Sequence, residues 1–281
     1  MGVRVVSDSA CDLPPALCDE LGIEIVPLTI RFGADELVDR VELSTAAFWE
    51  RLARSTVLPE TAAPSVGAFE SKFRELHESG ADGIVCINLS SRMSATMQSA
   101  QIAAKALDGV CPISVIDSKS ASMGIGMLCI EAVNRAREGA DLDTVVAAVE
   151  NARERGHLLF TVDTLEYLRK GGRIGGAQAM LGSMLSIKPV ITVKDGAVEP
   201  VGKVRTRSKA LRFVVDKVKE RPVESLCVLH AQAPDVQEFI AMLEPIVPMR
   251  EIVVGEIGPV VGVHTGPATM GVTWIEAPAP G

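Results

Sequence analysis

The run GIVCINLSSRMSATMQSAQIAAKAL, residues 83–107, decides the fold. Gly83 to Leu89 is a continuous apolar, β-branched stretch of strand length. Leu89-Ser90-Ser91-Arg92-Met93-Ser94 is a short hydroxyl-rich connection, and Ser94 to Leu107 reads as a helix. A strand that is apolar throughout is buried on both faces, and a strand leading directly into a helix is half of a βαβ unit.

The same alternation extends outward from this run. Upstream, Val3 to Ser7 reads as a strand, and Pro14 to Leu21 as a helix with prolines in its first turn and Gly22 at its end. Ile23 to Phe32 reads as a second strand, Thr45 to Arg54 as a helical patch, and Ser65 to Ser79 as a helix closed by Gly80. Downstream, Ile113 to Ile116 is a strand and Ser122 to Arg137 a long helix. Near Gly156 the pattern changes. Leu158 to Val162 is a strand, and Thr164 to Arg169 begins a helix that Gly171-Gly172 stops. Lys188 to Val193 and Ala197 to Val204 flank Asp195-Gly196, the signature of a tight type I′ hairpin. A helix over Ser208 to Lys219 and strands over Ser225 to Ala231, Arg250 to Glu256 and Val272 to Glu276 follow. The expected fold is α/β in two domains. Residues 1–156 form an N-terminal domain with a parallel sheet flanked by helices. Residues 157–281 form a C-terminal α/β domain with a largely antiparallel sheet. The tail from Pro278 to Gly281 reads as loose.

Composition narrows the function. The chain has 281 residues, 47% hydrophobic and 23% charged, which excludes disordered, collagenous and coiled-coil classes. A net charge of −8 with one Tyr and two Trp argues against nucleic acid and against an anionic membrane surface. No secretory signal or spanning segment is visible, so the cytosol is the expected location. The six cysteines form no CxxC and mostly lie in apolar runs such as IVCINL and ESLCVLH, as reduced core thiols do. Four scattered histidines without HExxH give no metal site, and no cofactor is expected. GxSxG, GxGxxG and P-loop motifs are missing.

In a parallel α/β sheet ligands bind beyond the carboxyl ends of the strands. Here those ends carry Ser7-Asp8-Ser9, Ser90 to Ser94 and Asp117-Ser118. Such residues either cap helices or hydrogen-bond an oxygen-bearing ligand. Ser94 lies at an expected helix start, where free N–H groups and the helix dipole suit an anion. Thr61 precedes Pro64, which forces Ala63 toward an extended conformation and stiffens the turn. His264 lies in a glycine-rich stretch, Gly258 to Gly271, read as a tight loop that lets backbone approach a ligand. Lys170 to Arg173 and Lys203 to Arg207 are basic islands on an acidic chain, either solvated faces or partner contacts.

Taken in order, SDSACDLP (7–14), TAAPS (61–65), LSSRMSATMQSA (89–100), IDSKSAS (116–122), DTLEYLRKGGRI (163–174), LSIKPV (185–190), KVRTR (203–207) and GPVVGVHTGPATMG (258–271) resemble the DegV family along essentially the whole chain. The resemblance implies a bacterial fatty-acid-binding carrier without catalytic residues. A long-chain fatty acid would lie in a tunnel between the two domains. Its carboxylate would be presented to a fatty acid kinase and phosphorylated to an acyl phosphate, a phospholipid precursor. Carried over by motif, Thr61 and Ser94 would hold the carboxylate and His264 would lie near it. Arg173 would contact the kinase, and Arg205, in the second basic island, is the other docking expectation. The chain departs from the family pattern at Ala95 and Ala268, where the family has glycine, and at Ala62 and Ala63, which remove side-chain donors beside Thr61. Two alternatives stand beside this reading. One is an acyl hydrolase with Ser94 as nucleophile and His264 as base. The other is a docking subunit that binds a small polyol phosphate.

Overall fold

A computed structural model of the chain describes residues 2–183 and 187–278. The first half runs Val3–Asp8 (β1), Pro15–Leu21 (α1), Ile23–Val26 (β2), Thr29–Phe32 (β3), Asp35–Val38 (β4), Thr45–Arg54 (α2), Glu60–Ala62 (β5), Val66–Glu78 (α3), Gly83–Asn88 (β6), Thr96–Ala106 (α4), Ile113–Asp117 (β7), Met123–Arg137 (α5) and Leu142–Arg155 (α6). The second runs Gly156–Thr161 (β8), Glu166–Lys170 (α7), Lys188–Lys194 (β9), Ala197–Val204 (β10), Arg207–Lys219 (α8), Val223–His230 (β11), Val236–Leu243 (α9), Val253–Glu256 (β12), Pro259–Thr265 (α10) and Met270–Glu276 (β13). The expected looseness of the tail falls mainly on residues outside those described, as does part of the LSIKPV run.

Three sheets result. The first, in the order β2-β1-β6-β7, is parallel throughout, with Val5 opposite both Ile23 and Val85, and Ile84 opposite Ile113. Alternation sends Val6, Ile84 and Cys86 into a core with Phe69, Phe73 and Leu76 of α3 and Ala100 and Ala103 of α4. Val5, Val85 and Ile87 face the other way, into a core shared with α5 and α6. Burial on both sides explains why β6 reads as an apolar run from Gly83 to Ile87. The second sheet, β10-β9-β8-β13-β11-β12, is antiparallel except where β12 joins β11. Helices α8 and α9 cover one face. Its other face, through Leu158, Phe160, Ile191 and Leu229, joins the same core as α5 and α6. The proposed division at residue 156 thus falls where α6 gives way to β8, and one apolar core runs past it.

Several expectations need correction. Ile23 to Phe32 is two strands in two sheets. Pro27, which has no N–H to donate, ends β2, and β3 turns away into a small antiparallel sheet of order β4-β3-β5. The helix expected from Ser94 starts at Thr96. The strand expected from Arg250 starts at Val253, after a 3-10 turn over Met249–Glu251. The glycine-rich loop from Gly258 contains a helix, α10, with Pro259 in its first turn, where a proline's fixed φ and missing N–H are tolerated. Helices α6 and α9 went unread. At the β9–β10 hairpin Asp195 and Gly196 both have positive φ, +50° and +79°, as the type I′ reading requires. The hairpin tip docks on the loop after β6: Ser90 Oγ donates to Gly196 O at 2.7 Å and Arg92 Nη1 to Asp195 O at 2.9 Å.

All six cysteines are buried and free. Among the described residues no helix is long and apolar enough to cross a membrane, and no group of three or more His, Cys, Asp or Glu could hold a metal ion.

Candidate functional site

A narrow apolar channel runs between the first half of the chain and the second sheet. Leu28 and Leu89 line it from one side, Phe160, Ile191 and Val198 from the other, and Val261 from α10. Its free volume, open mouth included, is about 630 Å³.

Thr61, Ser94, Arg173 and His264 all line this channel, brought there from four separate segments. Strand β5 pairs with β3 and sets Thr61 opposite Ile30. Thr61 Oγ1 lies 3.2 Å from His264 Nε2. The imidazole lies close against Gly171, where a Cβ would come within 2.3 Å of Nδ1. The glycine that stops α7 therefore also makes room for the histidine. Two residues on, Arg173 donates from Nη1 to Gly171 O at 2.8 Å and from Nε to Met93 O at 3.1 Å. It straps the α7 turn to the loop that carries Ser94. Ser94 Oγ lies 2.8 Å from Thr96 Oγ1 and accepts from Thr96 N at 3.3 Å. Thr61, His264, Gly171, Arg173, Met93 and Ser94 are thus contiguous, and exposed Arg173 marks them as the mouth.

The remaining polar lining groups are satisfied internally. Thr192 Oγ1 donates to Leu158 O at 2.7 Å, and Thr265 Oγ1 to Val261 O at 3.2 Å. At the mouth, groups are free. His264 Nδ1 is buried with no partner. Burial, aided by the positive charge of Arg173, lowers the His264 pKa from its usual 6.5 to about 4, so the ring is neutral at neutral pH. A buried acceptor without a donor costs less than a buried N–H without an acceptor, which assigns the ring proton to Nε2. Nε2–H then donates to Thr61 Oγ1, and the Thr61 hydroxyl hydrogen is left to donate into the channel. Thr96 can supply Ser94 in the same way. The mouth can therefore offer two hydroxyl donors beside a guanidinium, a set suited to a carboxylate.

Other sequence-level candidates lie elsewhere. The hydroxyls and carboxylate at the end of β1 serve the fold. Ser7 Oγ donates to Ile87 O, Ser9 Oγ accepts from Leu28 N, and Asp8 accepts from Ala10 N, Leu89 N and Asn88 Nδ2. Asp117 accepts from Ser91 N and Lys119 N. Arg205 is exposed in the bend between β10 and α8, apart from the channel. The Ser94–His264 dyad that a hydrolase needs is absent from the mouth, since His264 Nε2 faces Thr61 and Ser94 Oγ faces Thr96. Of the two glycine replacements, Ala95 has φ −78° and carries no strain, whereas Ala268 has φ +60°, a left-handed conformation that glycine adopts more readily. Gly171 and Met93 were missed as parts of the site. The doubled glycine after α7 was the one sequence signal for the former, and it reads equally well as a helix stop.

Residues 2–277 match a family model described as "Uncharacterised protein, DegV family". A DegV domain-containing protein of Streptomyces coelicolor is 37% identical over 276 residues, 96% of this chain and 97% of that one. Among solved structures, a fatty-acid-binding DegV family protein from Thermus thermophilus is 34% identical with a TM-score of 0.92, covering 99% of this chain and 100% of its own. DegV from Bacillus subtilis, a fatty acid binding protein, is 27% identical with a TM-score of 0.89, covering 99% and 100%. A stearic-acid-binding protein from Eubacterium ventriosum is 27% identical with a TM-score of 0.86, covering 98% of each chain.

Proposed function

The chain belongs to the DegV family, and from that premise we propose that it binds one long-chain fatty acid and presents the carboxylate to a separate kinase. The observation that carries this reading is the contiguous Thr61–His264–Arg173–Ser94 mouth on an otherwise apolar channel. The acyl chain occupies the tube, at roughly 0.8 kcal/mol per buried methylene, or roughly 11 kcal/mol for about fourteen of them before entropy costs. A buried carboxylate without partners would offset much of that gain. Thr61 and Ser94 each donate a hydroxyl hydrogen to it. His264, neutral and donating to Thr61, fixes the direction of that hydroxyl, and Arg173 supplies the positive field.

This arrangement supports a carrier. The carboxylate sits at an open end, and among the described residues no nucleophile–base pair adjoins it. In the proposed reaction a carboxylate oxygen attacks the γ-phosphorus of a nucleoside triphosphate held by the kinase. The new C–O–P bond gives an acyl phosphate, and the nucleoside diphosphate leaves. Arg173, exposed at the rim, and Arg205, exposed on the second basic island, are the proposed contacts for that partner. Lipid extraction and mass spectrometry of the purified protein should find close to one long-chain fatty acid per chain. Repeated preparations that are empty and take up no added stearate would overturn the reading. A thermal-shift screen that responds to sugar phosphates and not to fatty acids would favour the polyol-phosphate alternative.

A further inference from the structure

Three of the sequence blocks meet at one buried carboxylate that lies outside the channel mouth. Asp12, at the end of SDSACD, is 4% exposed and has φ +52°. Its Oδ2 accepts from Ser122 Oγ at 2.5 Å, and Ser122, at the end of IDSKSAS, is itself fully buried with φ +56°. Its Oδ1 accepts from Gly258 N at 3.0 Å, and Gly258 is the residue from which α10 starts. Two non-glycine residues with positive φ on either side of one short hydrogen bond persist only where the surroundings over-determine them.

Helix α10 is what the carboxylate holds. By sequence it belongs with the second sheet, yet it packs on elements of the first half. Gly262 lies so close to Phe48 and Trp49 of α2 that a Cβ there would come within 2.8 Å of the Phe48 ring. Trp49 Nε1 donates to Ile257 O at 3.2 Å. The same helix carries Val260 and Val261 on the channel wall and His264 at the mouth. At seven residues it is too short to hold its place by helix propensity. We infer that Asp12 is a positioning residue for the fatty-acid site. By tying the start of α10 to the turn after β1 and to the start of α5, it sets His264 against Thr61 and keeps the wall closed on the acyl chain. The inference rests on the fatty-acid reading for its ligand, and on His264 alone for its geometry.

Asp12→Asn keeps both contacts, because the amide oxygen can accept from Gly258 N and the amide N–H₂ can donate to Ser122 Oγ; asparagine also tolerates a positive φ. Asp12→Gly removes the carboxylate without adding backbone strain. Gly258→Ala attacks the same contact from the helix side, since its Cβ would lie 2.7 Å from Asp12 Oδ1. Val149→Ala, at a fully buried position in α6, is the control for general destabilisation. The readouts are the NMR titration of the His264 imidazole and the affinity for stearate. Asp12→Gly and Gly258→Ala should raise the His264 titration toward 6.5 and weaken stearate binding about tenfold. Asp12→Asn and Val149→Ala should leave both near wild type. A wild-type His264 titration in Asp12→Gly and Gly258→Ala overturns the inference, as does an equal effect in Val149→Ala. If wild type binds no stearate, the fatty-acid reading fails on its own, and the His264 titration still decides the role of Asp12.

Discussion

Two strand ends in the first sheet have nearly the same chemistry and opposite fates. At the end of β1 stand Ser7, Asp8 and Ser9, and after β6 come Ser90, Ser91 and Ser94. The first set is buried, and each polar side chain has a backbone or amide partner within the fold. In the second set Ser90 is taken up by the hairpin tip and Ser91 by Asp117, but Ser94 reaches the channel with only Thr96 beside it. Residue type alone does not separate a hydroxyl that serves the fold from one that faces the channel. What separates them is whether neighbouring backbone already saturates the hydrogen bonds, which depends on the elements folded over each strand end.

The comparison can be broken by mutation, and the largest effect should come from the structural set. Asp8→Ala strands the N–H groups of Ala10 and Leu89 and the Asn88 amide in a dry core, at about 3 kcal/mol or more. Denaturant unfolding should show that loss, while fatty acid bound per folded chain stays unchanged. If instead the ligand is lost and the midpoint holds, the two strand ends have been assigned the wrong way round.

Thr61→Val with Ser94→Ala should do the reverse. Two hydrogen bonds to a charged group, each about 1.5–3 kcal/mol, correspond to a loss of affinity of at least about a hundredfold. Calorimetric titration with stearate measures it, and the unfolding midpoint should fall less than in Asp8→Ala, since only His264 Nε2–H and the Thr96 hydroxyl and N–H lose a partner. Unchanged affinity would remove the carboxylate assignment.

His264 sharpens the contrast through pH. Its folded pKa, about 4, lies below the ordinary 6.5, so the unfolded chain binds the extra proton. Its contribution is complete above pH 6.5 and is lost as pH falls toward 4, by at most about 3 kcal/mol. Burial raises the Asp12 and Asp39 pKa values to about 7 and about 6, and these groups carry the opposite slope over the same range. The expected signal is therefore the difference between the stability profiles of wild type and His264→Gln. Parallel profiles would show that the ring titrates normally. The smallest effect should come from the two arginines. Arg173→Gln should raise the His264 titration, since its charge holds that pKa down, whereas Arg205→Gln should change neither the titration nor stearate binding.

Much of the architecture was legible because it depends on local pattern. Doubly buried strands such as Gly83–Asn88 are apolar up to their last residue, Gly22 and Gly80 end helices, and Asp195-Gly196 favours its hairpin through local turn chemistry. Misreadings arose where a local signal had two outcomes. The glycines from Gly258 to Gly271 suggested a loop, yet Gly262 serves as a contact point that lets α10 sit directly on Trp49. Ile23 to Phe32 looked like one strand because its apolar residues continue past Pro27, and a single missing N–H redirected the chain. The site was partly legible. Thr61, Ser94, Arg173 and His264 were all named, but nothing local announced that Gly171 shapes the histidine's pocket or that Arg173 straps Met93.

The amino-acid order by itself determined the alternation of strands and helices, the change of sheet type near residue 156 and the family resemblance, since periodicity and turn chemistry act over a few residues. Only the tertiary structure decided which hydroxyls face the channel, how far the His264 pKa falls, and that Asp12, Ser122 and Gly258 meet. Those properties arise from desolvation and from contacts between residues as much as 246 positions apart, and a linear reading has no access to either.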